Sequence, residues 1–361
     1  MISIAVDAMG GDNAPREIVH GAVLASKANP VRIFLVGDES TIKDELKQHD
    51  YSSDSLEIIH ASDCISMDES PKRAVTNKPN ASVLVAASMV SNGKADAFVS
   101  AGSTGSVVLS AAKYISRIPG VKRPAIATVY PTLNEFKRDD HLALMVDVGA
   151  NVESSAKELV QFAIMGSTYV TNVRGVGSPK AALLNIGEEE TKGSEKMQTA
   201  YRMLKEVPSL NFSGNIEGKD ILRGLVDVIV TEGFVGNIVI KTLEGTAMAA
   251  SHLGKLAFRA RFSWKLGLFF LRKGLRRIRE VTDYAEYGGA PLLGFEKMVI
   301  IAHGRSSAKA VSNAIKLAGK SVRDKVCETM TQKIIEPVSY THLRAHETRE
   351  DRGWRGVGGK K

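Results

Sequence analysis

Short runs of β-branched and other apolar residues alternate along most of the chain with longer segments whose apolar residues recur every three or four positions. The short runs predict nine strands, at 3–9, 32–37, 56–60, 97–100, 125–130, 142–148, 181–186, 228–231 and 298–302. The longer segments predict eight amphipathic helices, near 16–28, 39–48, 80–92, 104–117, 155–171, 192–206, 235–260 and 306–335. Many of the strand runs are continuous and not alternating, which is typical of strands covered on both faces. The pattern therefore predicts a layered α/β fold with a mostly parallel sheet.

The 361-residue chain has no internal repeat and no low-complexity linker, so we expect a single α/β domain over 1–336. Within it, 237–285 is predicted to form a protruding helical hairpin. Pro337 ends the last predicted helix. The segment 337–361 that follows has no apolar periodicity, and its last residues are Gly and Lys. We expect 337–361 to be a disordered tail that is not native to the protein; the alternative is a natural basic tail.

Basic residues are concentrated in two places. The formal charge is +8, yet 245–279 carries nine Lys/Arg and no acid, and 337–361 carries six basic against three acidic residues. The rest of the chain is mildly acidic. This distribution disfavours a general nucleic-acid binder, because such proteins are basic over a whole face or domain.

The basic segment also contains an apolar stripe, since residues from Trp264 to Ile278 recur at spacings of four and three. Such a stripe with basic flanks can lie in a membrane interface and attract anionic lipid. It could equally dock an acidic partner, or pack as a helical hairpin in a dimer interface. The candidate surface comprises Trp264, Leu268, Phe269, Leu271, Arg272, Leu275 and Arg276.

The cysteines, the first residues and the longest apolar run indicate in which cellular compartment the protein acts. Two cysteines, Cys64 and Cys327, are too few for a disulfide framework or a zinc site and suit a reducing cytosol. The first residues lack a basic region and reach Asp7 at once, so we expect no signal peptide. The apolar run Leu266–Leu271 has six residues, whereas a spanning helix needs about 20. We therefore expect a cytoplasmic protein that is at most attached to the inner membrane surface.

Six predicted strands end in glycine-rich, polar loops, at 7–15, 100–106, 147–153, 185–195, 231–241 and 302–307. In open α/β sheets, ligands bind at the carboxyl ends of strands. Glycine lets backbone N–H groups approach an anion, and the following helix adds its positive dipole end. One such loop is often only a tight turn, but six together predict a site for phosphate or another small anion.

Particular side chains in these loops are candidates for phosphate binding and catalysis. The loop SAGSTGS matches neither GxxxxGK[ST], GxGxxG nor GxSxG, but its hydroxyls and helix-start amides suit phosphate. Lys192 and Lys241 could supply a cation, and Asn151 and Asn237 could donate to an oxyanion; surface and turn roles are the alternatives. The predicted phosphate-binding residues are Gly102, Ser103, Thr104, Gly105 and Ser106.

Acidic residues and one histidine complete the candidates: Asp7, Asp12, Asp147, Glu232 and His303. The carboxylates could hold Mg²⁺ or cap helices, and His303 could act as an acid or base or be structural. HExxH, CxxC and histidine-rich clusters are absent from the sequence, so we predict no metal site and no cofactor.

The ordered motifs AVDAMGGDNAP, SAGSTGS, LMVDVGANVE, FAIMGSTY, LLNIGEEETKG, GNIEGKD, TEGFVGNIVIKTLEG, YGGAPLLG and AHGRSS resemble those of the bacterial phosphate acyltransferases, the PlsX family, from residue 1 to about 336. The chain departs from the usual family pattern at three positions. Ser103 stands where Asn is usual, Glu232 where Asp is usual, and Asn13 where His is common.

The resemblance implies a fold like that of isopropylmalate dehydrogenases and phosphate acetyltransferases, a homodimer, and peripheral membrane association. The implied reaction moves a fatty acyl group from an acidic acyl carrier protein to inorganic phosphate. The acyl phosphate would then serve a membrane glycerol-3-phosphate acyltransferase in phospholipid synthesis, without nucleic acid. Two alternatives are an NAD- and metal-dependent hydroxyacid dehydrogenase on the related fold, and a non-catalytic basic protein that binds membrane or nucleic acid.

Overall fold

The computed structural model of the chain describes residues 1–135, 140–260 and 288–335. Within these ranges eleven strands form one sheet. The strands are β1 (Ile2–Asp7), β2 (Val31–Gly37), β3 (Leu56–His60), β4 (Ala97–Ser100), β5 (Ala125–Pro131), β6 (Leu142–Val146), β7 (Lys180–Leu184), β8 (Asn211–Ile216), β9 (Val228–Val230), β10 (Ala290–Leu293) and β11 (Met298–Ile301).

The helices of the described ranges connect these strands. They are α1 (Arg16–Ala28), α2 (Glu39–Leu46), α3 (Pro71–Asn77), α4 (Ser82–Ser91), α5 (Thr104–Tyr114), α6 (Ala156–Arg174), α7 (Glu195–Lys205), α8 (Gly233–Ala260), α9 (Ala308–Arg323) and α10 (Val326–Ile335), with a 3₁₀ helix at Gly218–Arg223. Several helices begin at a side chain that accepts a backbone N–H of the first turn, which satisfies a donor that the helix cannot. Such N-caps are Asp38, Ser155, Ser194 and Ser307.

The sheet has the order β3-β2-β1-β4-β11-β10-β5-β6-β9-β7-β8. Strands β3, β2, β1, β4 and β11 are parallel, and so are β6, β9, β7 and β8. Between the two parallel groups, β10 is antiparallel to β11 and β5, and β5 is antiparallel to β6. The prediction of a layered, mostly parallel α/β fold is confirmed.

Buried apolar side chains cover both faces of the sheet. Along β1, Ile4 and Val6 belong to one core layer and Ala5 to the other, as the alternation of a strand requires. Phe98 on β4 is fully buried in the second layer, where Val239 of α8 packs at the margin. This burial on both sides explains why the strands read as continuous apolar runs in the sequence.

The structure contains elements that the sequence pattern did not predict. Strands β8 and β10 and helix α3 are additional. The helix predicted over 306–335 is two helices, α9 and α10, because Lys325 adopts a positive φ of 51° between them. A residue in that conformation cannot continue a right-handed helix.

Several predictions fall outside the described residues. They are the outer part of the helical hairpin at 261–287, which contains Trp264, Leu268, Phe269, Leu271, Arg272, Leu275 and Arg276, and the tail at 337–361. Across the ranges that the structure does describe, we find no helix with the length and apolarity needed to cross a membrane.

Candidate active site

Three glycine-rich loops meet at one edge of the sheet because they follow neighbouring parallel strands. Loops 7–15, 100–106 and 302–307 leave the carboxyl ends of β1, β4 and β11. The backbone N–H of Asp12 donates to the carbonyl of Gly304 at 2.8 Å. Gly11 has a φ of +108°, and a Cβ atom there would lie 3.0 Å from the carbonyl oxygens of Ala101 and Gly304. The loops therefore pack backbone against backbone, which requires glycine at position 11.

Asp7 lies beneath these loops and is 1% exposed. Its two carboxylate oxygens accept hydrogen bonds from the hydroxyls of Ser82, at 2.6 Å, and Ser100, at 2.7 Å. Burial raises the pKa of Asp7, and the hydrogen bonds from Ser82 and Ser100 oppose that rise. Asp7 is thus a buried acceptor under the loops and not a group open to a ligand.

The predicted phosphate-binding loop forms the first turn of α5. Ser103 is the N-cap, and its hydroxyl accepts from the N–H of Ser106 at 3.4 Å and donates to the Ser106 hydroxyl at 2.7 Å. The first N–H groups of a helix have no carbonyl partner within it, and at α5 these belong to Thr104 and Gly105. Thr104 is exposed and Gly105 half-buried. This helix start therefore presents two backbone donors, a hydroxyl and a positive dipole end.

Helix α3 forms a wall beside the first turn of α5. A Cβ atom on Gly105 would lie 2.8 Å from Cγ of Pro71, and one on Gly304 would lie 2.7 Å from Cε of Met67. Segment 67–71 therefore contacts the loops of both β4 and β11. The sequence analysis missed this wall, because a seven-residue helix gives too short a period to recognise.

His303 lies in the loop after β11, close to Lys241 of α8. Its Nδ1 accepts a hydrogen bond from the N–H of Arg305 at 3.1 Å, so a neutral imidazole carries its hydrogen on Nε2. Burial lowers the pKa of His303, and the positive charge of Lys241 lowers it further. Asp12 lies on the same loop edge, with its carboxylate 3.7 Å from Nε of Arg305.

A second glycine-rich group surrounds Asp147, which is 0% exposed at the end of β6. Its Oδ1 accepts from the N–H groups of Ile126 at 2.9 Å, Gly149 at 3.1 Å and Ala150 at 3.0 Å. Its Oδ2 accepts from the backbone and side-chain amides of Asn151, at 2.8 and 2.9 Å. Asp147 therefore fixes the shape of the 147–153 loop.

The two candidate asparagines differ in how many side-chain amide hydrogens remain available to donate to a substrate. The Asn151 amide nitrogen donates to the Pro124 carbonyl at 2.8 Å and to Asp147, which uses both of its hydrogens. The Asn237 amide nitrogen donates to the Val148 carbonyl at 3.1 Å, which uses one of two. Asn237 is therefore the better placed of the two to donate to a substrate.

Helix α8 connects the Asp147 loop to His303. A Cβ atom on Gly236 would overlap the carbonyl oxygen of Asp147, so the first turn of α8 lies directly against that loop. Asn237 and Lys241 are four residues apart and share one helix face, with Cβ atoms about 5–6 Å apart. The Lys241 ammonium pairs with Glu244 at 2.8 Å and lies close enough to His303 to affect its pKa.

The remaining candidates lie near α7. Glu232 accepts from the N–H of Ser154 at 3.0 Å and pairs with Lys196, which the sequence analysis did not single out. The Lys192 ammonium lies 4.0 Å from Glu189. The structure thus groups Asp7, Asp12, 102–106 and His303 around the loops after β1, β4 and β11, and groups Asp147 and Asn151 around the loop after β6. Asn237 and Lys241 of α8 lie between the two groups. Lys192 and Glu232 have other partners.

One acidic group in the described ranges has ligand atoms within 4.8 Å of one another: Glu188, Glu217 and Asp220. The ammonium of Lys219 pairs with Glu217 and lies 3.9 Å from Glu188. This lysine already compensates the carboxylates. Burial also raises the pKa of the Cys327 thiol to about 12, so that sulfur is not a nucleophile near neutral pH.

The fold is shared with solved phosphotransacetylases. A phosphotransacetylase from Streptococcus pyogenes superposes with a TM-score of 0.63 at 16% identity, covering 89% of this chain and 94% of that one. The EutD phosphotransacetylase from Staphylococcus aureus gives 0.58 at 19% identity, with the same two coverages. The class is therefore an α/β protein built like the phosphotransacetylases.

Sequence relatives narrow the class to a family. The family model described as fatty acid synthesis protein matches residues 2–329. A phosphate acyltransferase of Dictyoglomus thermophilum is 44% identical over 94% of this chain and 98% of that protein. A phosphate acyltransferase of Heliobacterium modesticaldum is 46% identical over 93% and 99%. The chain belongs to this family and is an enzyme of the phosphate acyltransferase type, as the motifs predicted; the relatives do not support the dehydrogenase or non-catalytic alternatives.

Proposed function

We propose that the enzyme transfers a fatty acyl group from the thioester of an acyl carrier protein to inorganic phosphate. The products are acyl phosphate and the free carrier thiol, and the acyl phosphate serves a membrane glycerol-3-phosphate acyltransferase in phospholipid synthesis. The observation that carries the proposal is the first turn of α5, whose exposed donors face outward between the β1 and β11 loops. The family description and the phosphate acyltransferase relatives support the acyl chemistry.

Phosphate binds at the start of α5. The N–H groups of Thr104 and Gly105 and the Thr104 hydroxyl hold its oxygens, and the helix dipole favours its charge. Lys241 supplies a cation on the α8 side, and we place it before Lys192 because it lies beside His303. A neutral His303 serves as a hydrogen-bond donor through Nε2.

The reaction needs no covalent intermediate with the protein. A phosphate oxygen attacks the thioester carbon, the new C–O bond forms, and the C–S bond then breaks. The proton of hydrogen phosphate ends on the released carrier thiol. The carbonyl oxygen becomes negative in the tetrahedral intermediate, where the remaining Asn237 amide hydrogen stabilises it. Positioning and charge stabilisation therefore provide the catalysis.

The carrier protein docks beside α3. Lys72 and Arg73 follow Pro71 directly, both are exposed, and neither side chain forms an ion pair within the described residues. Unpaired cations at the mouth of the site favour encounter with an acidic protein.

Acyl transfer is tested by mixing purified protein, acyl carrier protein thioester and phosphate, then adding hydroxylamine. We expect acyl hydroxamate in proportion to the carrier thiol released, and none when phosphate is left out. An acyl pantetheine thioester without the carrier protein is the matched arm and should react far more slowly. Hydroxamate no greater than in the protein-free control would overturn the proposal.

The enzyme forms a homodimer through α8, on the helix face that also carries Lys241, so that the dimer interface lies beside the site. Apolar side chains on this face are exposed, namely Phe234 at 60%, Ile238 at 49%, Met248 at 69% and Leu256 at 50%. A row of this length on one helix is rarely left in contact with water. Sedimentation should give twice the chain mass for the native protein and the chain mass for Met248→Glu; a monomeric native protein would contradict the dimer.

The enzyme acts in the cytoplasm, peripherally associated with the inner face of the membrane through the stripe at 264–278. Vesicles that contain anionic lipid should bind the native protein and release the Phe269→Glu, Leu271→Glu double variant. Binding that persists in this variant while the dimer is intact would contradict the membrane surface.

A further inference from the structure

A buried chain of hydrogen bonds leads from Asp7 to the turn that precedes α5. Asp7 and Ser100 are register partners at the ends of β1 and β4, so their side chains lie on the same side of the sheet. The Ser100 hydroxyl donates to Oδ2 of Asp7 at 2.7 Å and accepts the N–H of Gly102 at 3.0 Å. Ser100 is 1% exposed, so solvent cannot replace either bond.

The direction of these bonds is fixed by the chemistry of the three groups. Gly102 can only donate through its N–H, and an ionised Asp7 can only accept. Ser100 stands between them and does both, so each bond polarises the next. The Asp7 carboxyl is thereby coupled to the backbone of the phosphate-binding loop without reaching its surface.

Gly10 closes this arrangement from above. A Cβ atom on Gly10 would lie 2.8 Å from the Gly102 nitrogen and 3.0 Å from the Ser100 hydroxyl, and would overlap the Asp7 carboxylate. Gly10 therefore packs directly against the Gly102 nitrogen and the Ser100 hydroxyl, and a larger residue at position 10 would disrupt this hydrogen-bonded chain. Two residues later, Thr104 begins α5 with the donors that hold phosphate.

Ser82 offers an internal comparison. Its hydroxyl donates to Oδ1 of the same carboxylate at 2.6 Å, and it is also 1% exposed. Ser82 is the first residue of α4, however, and makes no bond to the phosphate-binding loop among the described contacts. The two serines therefore make the same kind of hydrogen bond to Asp7, but only Ser100 also accepts a hydrogen bond from the phosphate-binding loop.

We propose that Ser100 is a positioning residue for phosphate, acting through Gly102 on the first turn of α5, and that Ser82 is not. This inference rests on the proposed phosphate site. Loss of the Ser100 hydroxyl leaves the Gly102 N–H without its partner and frees the turn to move. The affinity for phosphate then falls. The rate of the chemical step changes little, because the groups that act in that step are still present.

The test compares Ser100→Ala with Ser82→Ala in the full-length protein. We expect Ser100→Ala to raise the KM for phosphate about tenfold, toward the lower end of the cost of leaving one buried N–H without its partner, with kcat within about twofold. Ser82→Ala should leave the KM for phosphate within about twofold, while the two variants lower the thermal midpoint similarly. Calorimetric titration with inorganic phosphate alone should give the same ratio of dissociation constants.

Ser100→Thr keeps the hydroxyl and should therefore have a KM for phosphate close to that of the native protein. This variant provides the test if Ser100→Ala proves poorly soluble. An equal rise in KM for both alanine variants, or none for either, would overturn the positioning role. A native protein that forms no acyl phosphate would instead refute the proposed function, so the two failures can be told apart.

Discussion

Individual side chains at the junction of α8 and the β11 loop determine how the site handles charge. Lys241 is the candidate cation, and its exposed i,i+3 pair with Glu244 measures 2.8 Å. An equivalent i,i+3 pair joins Asp44 of α2 to Lys47, the residue that follows this helix, also at 2.8 Å. This second pair lies away from the site and provides a matched control.

Lys241→Ala should lower kcat/KM about 10²-fold, the usual cost of one electrostatic contact to a developing charge. Lys47→Ala should leave the rate unchanged, because it removes the same kind of surface pair elsewhere. Steady-state kinetics with varied phosphate measure both. Unchanged kinetics in Lys241→Ala would remove this lysine from the mechanism.

The same substitution should change the titration of His303. Burial and the Lys241 charge both hold the pKa of His303 below its ordinary 6.5. Removing the positive neighbour favours the imidazolium form, so Lys241→Ala should raise this pKa, and Lys47→Ala should not. NMR titration of the imidazole protons, assigned by His303→Gln, reads the shift directly; a pKa that stays the same would show that the two groups do not interact.

Sequence reasoning identified the polar loops but not which side chains in them remain available. In the sequence, Asn151 and Asn237 are equivalent candidates, because each is an asparagine in a glycine-rich segment. Only the structure shows that Asn151 donates both side-chain amide hydrogens, one to the Pro124 carbonyl and one to the Asp147 carboxylate. Asp147 is four residues from Asn151, but Pro124 is 27 residues away, and the Val148 partner of Asn237 is 89 residues away; contacts at such separations leave no local sequence pattern.

At the scale of elements, the position of α8 depends on how closely its first turn approaches the Asp147 loop. Gly236→Ala places a methyl group on a carbonyl of that loop, which five hydrogen bonds hold in place. We expect a loss of about 1–3 kcal/mol in the free energy of unfolding.

Gly254→Ala is the control in the same helix, because position 254 faces away from the apolar side chains proposed to form the dimer and a Cβ atom there meets nothing within 4 Å. The exchange should stabilise the protein by up to about 1 kcal/mol, since alanine is the better helix former. Urea unfolding measures both variants. Equal stability of the two would mean that α8 does not depend on its contact with the Asp147 loop.

The wall formed by α3 should affect encounter with the carrier protein. Lys72→Ala with Arg73→Ala should raise the KM for acyl carrier protein about tenfold at low salt and much less at 1 M salt, where charges are screened over about 3 Å. The KM for phosphate should not change. Lys43→Ala, which removes a paired lysine on α2, serves as the control. A KM independent of salt would contradict docking at α3.

Elements with a clear period were predictable, and the exceptions have physical causes. Strand β8 reads NFSGNI, in which glycine and asparagine are poor strand formers. Strand β10 is four residues long and contains Pro291, which usually argues against a sheet interior. Pairing with β7 holds β8 at the edge of the sheet, and pairing with β11 and β5 holds β10 in its interior, against these local preferences.

For the whole molecule, one sheet and two core layers join the residues that precede β5 to those that follow it. Leu35 on β2 and Leu183 on β7 lie toward opposite ends of the sheet, are both 0% exposed, and belong to the same layer. We therefore expect one cooperative unfolding transition. Leu35→Ala and Leu183→Ala should each lower that transition, at a cost of about 2–5 kcal/mol.

Calorimetry distinguishes one cooperative unit from two. If each substitution shifted a different peak, the chain would consist of two separately folding domains, and the single domain expected over 1–336 would be wrong. The topology favours one unit, because β11 returns to pair with β4 after the strands of the other half have been completed.

That return of the chain has a consequence for synthesis on the ribosome. Until residues 298–301 emerge, β4 presents an unpaired edge. Until residues 308–311 follow, α1 lacks both the Glu17 bond to Ala308 and the contact of Gly21 with Val311. The pairing of β4 is therefore completed only when β11 arrives, and the loop that carries His303 joins the site after that. A chain that stops short of β11 lacks a strand in the middle of its sheet, so active enzyme appears only after β11 has been translated.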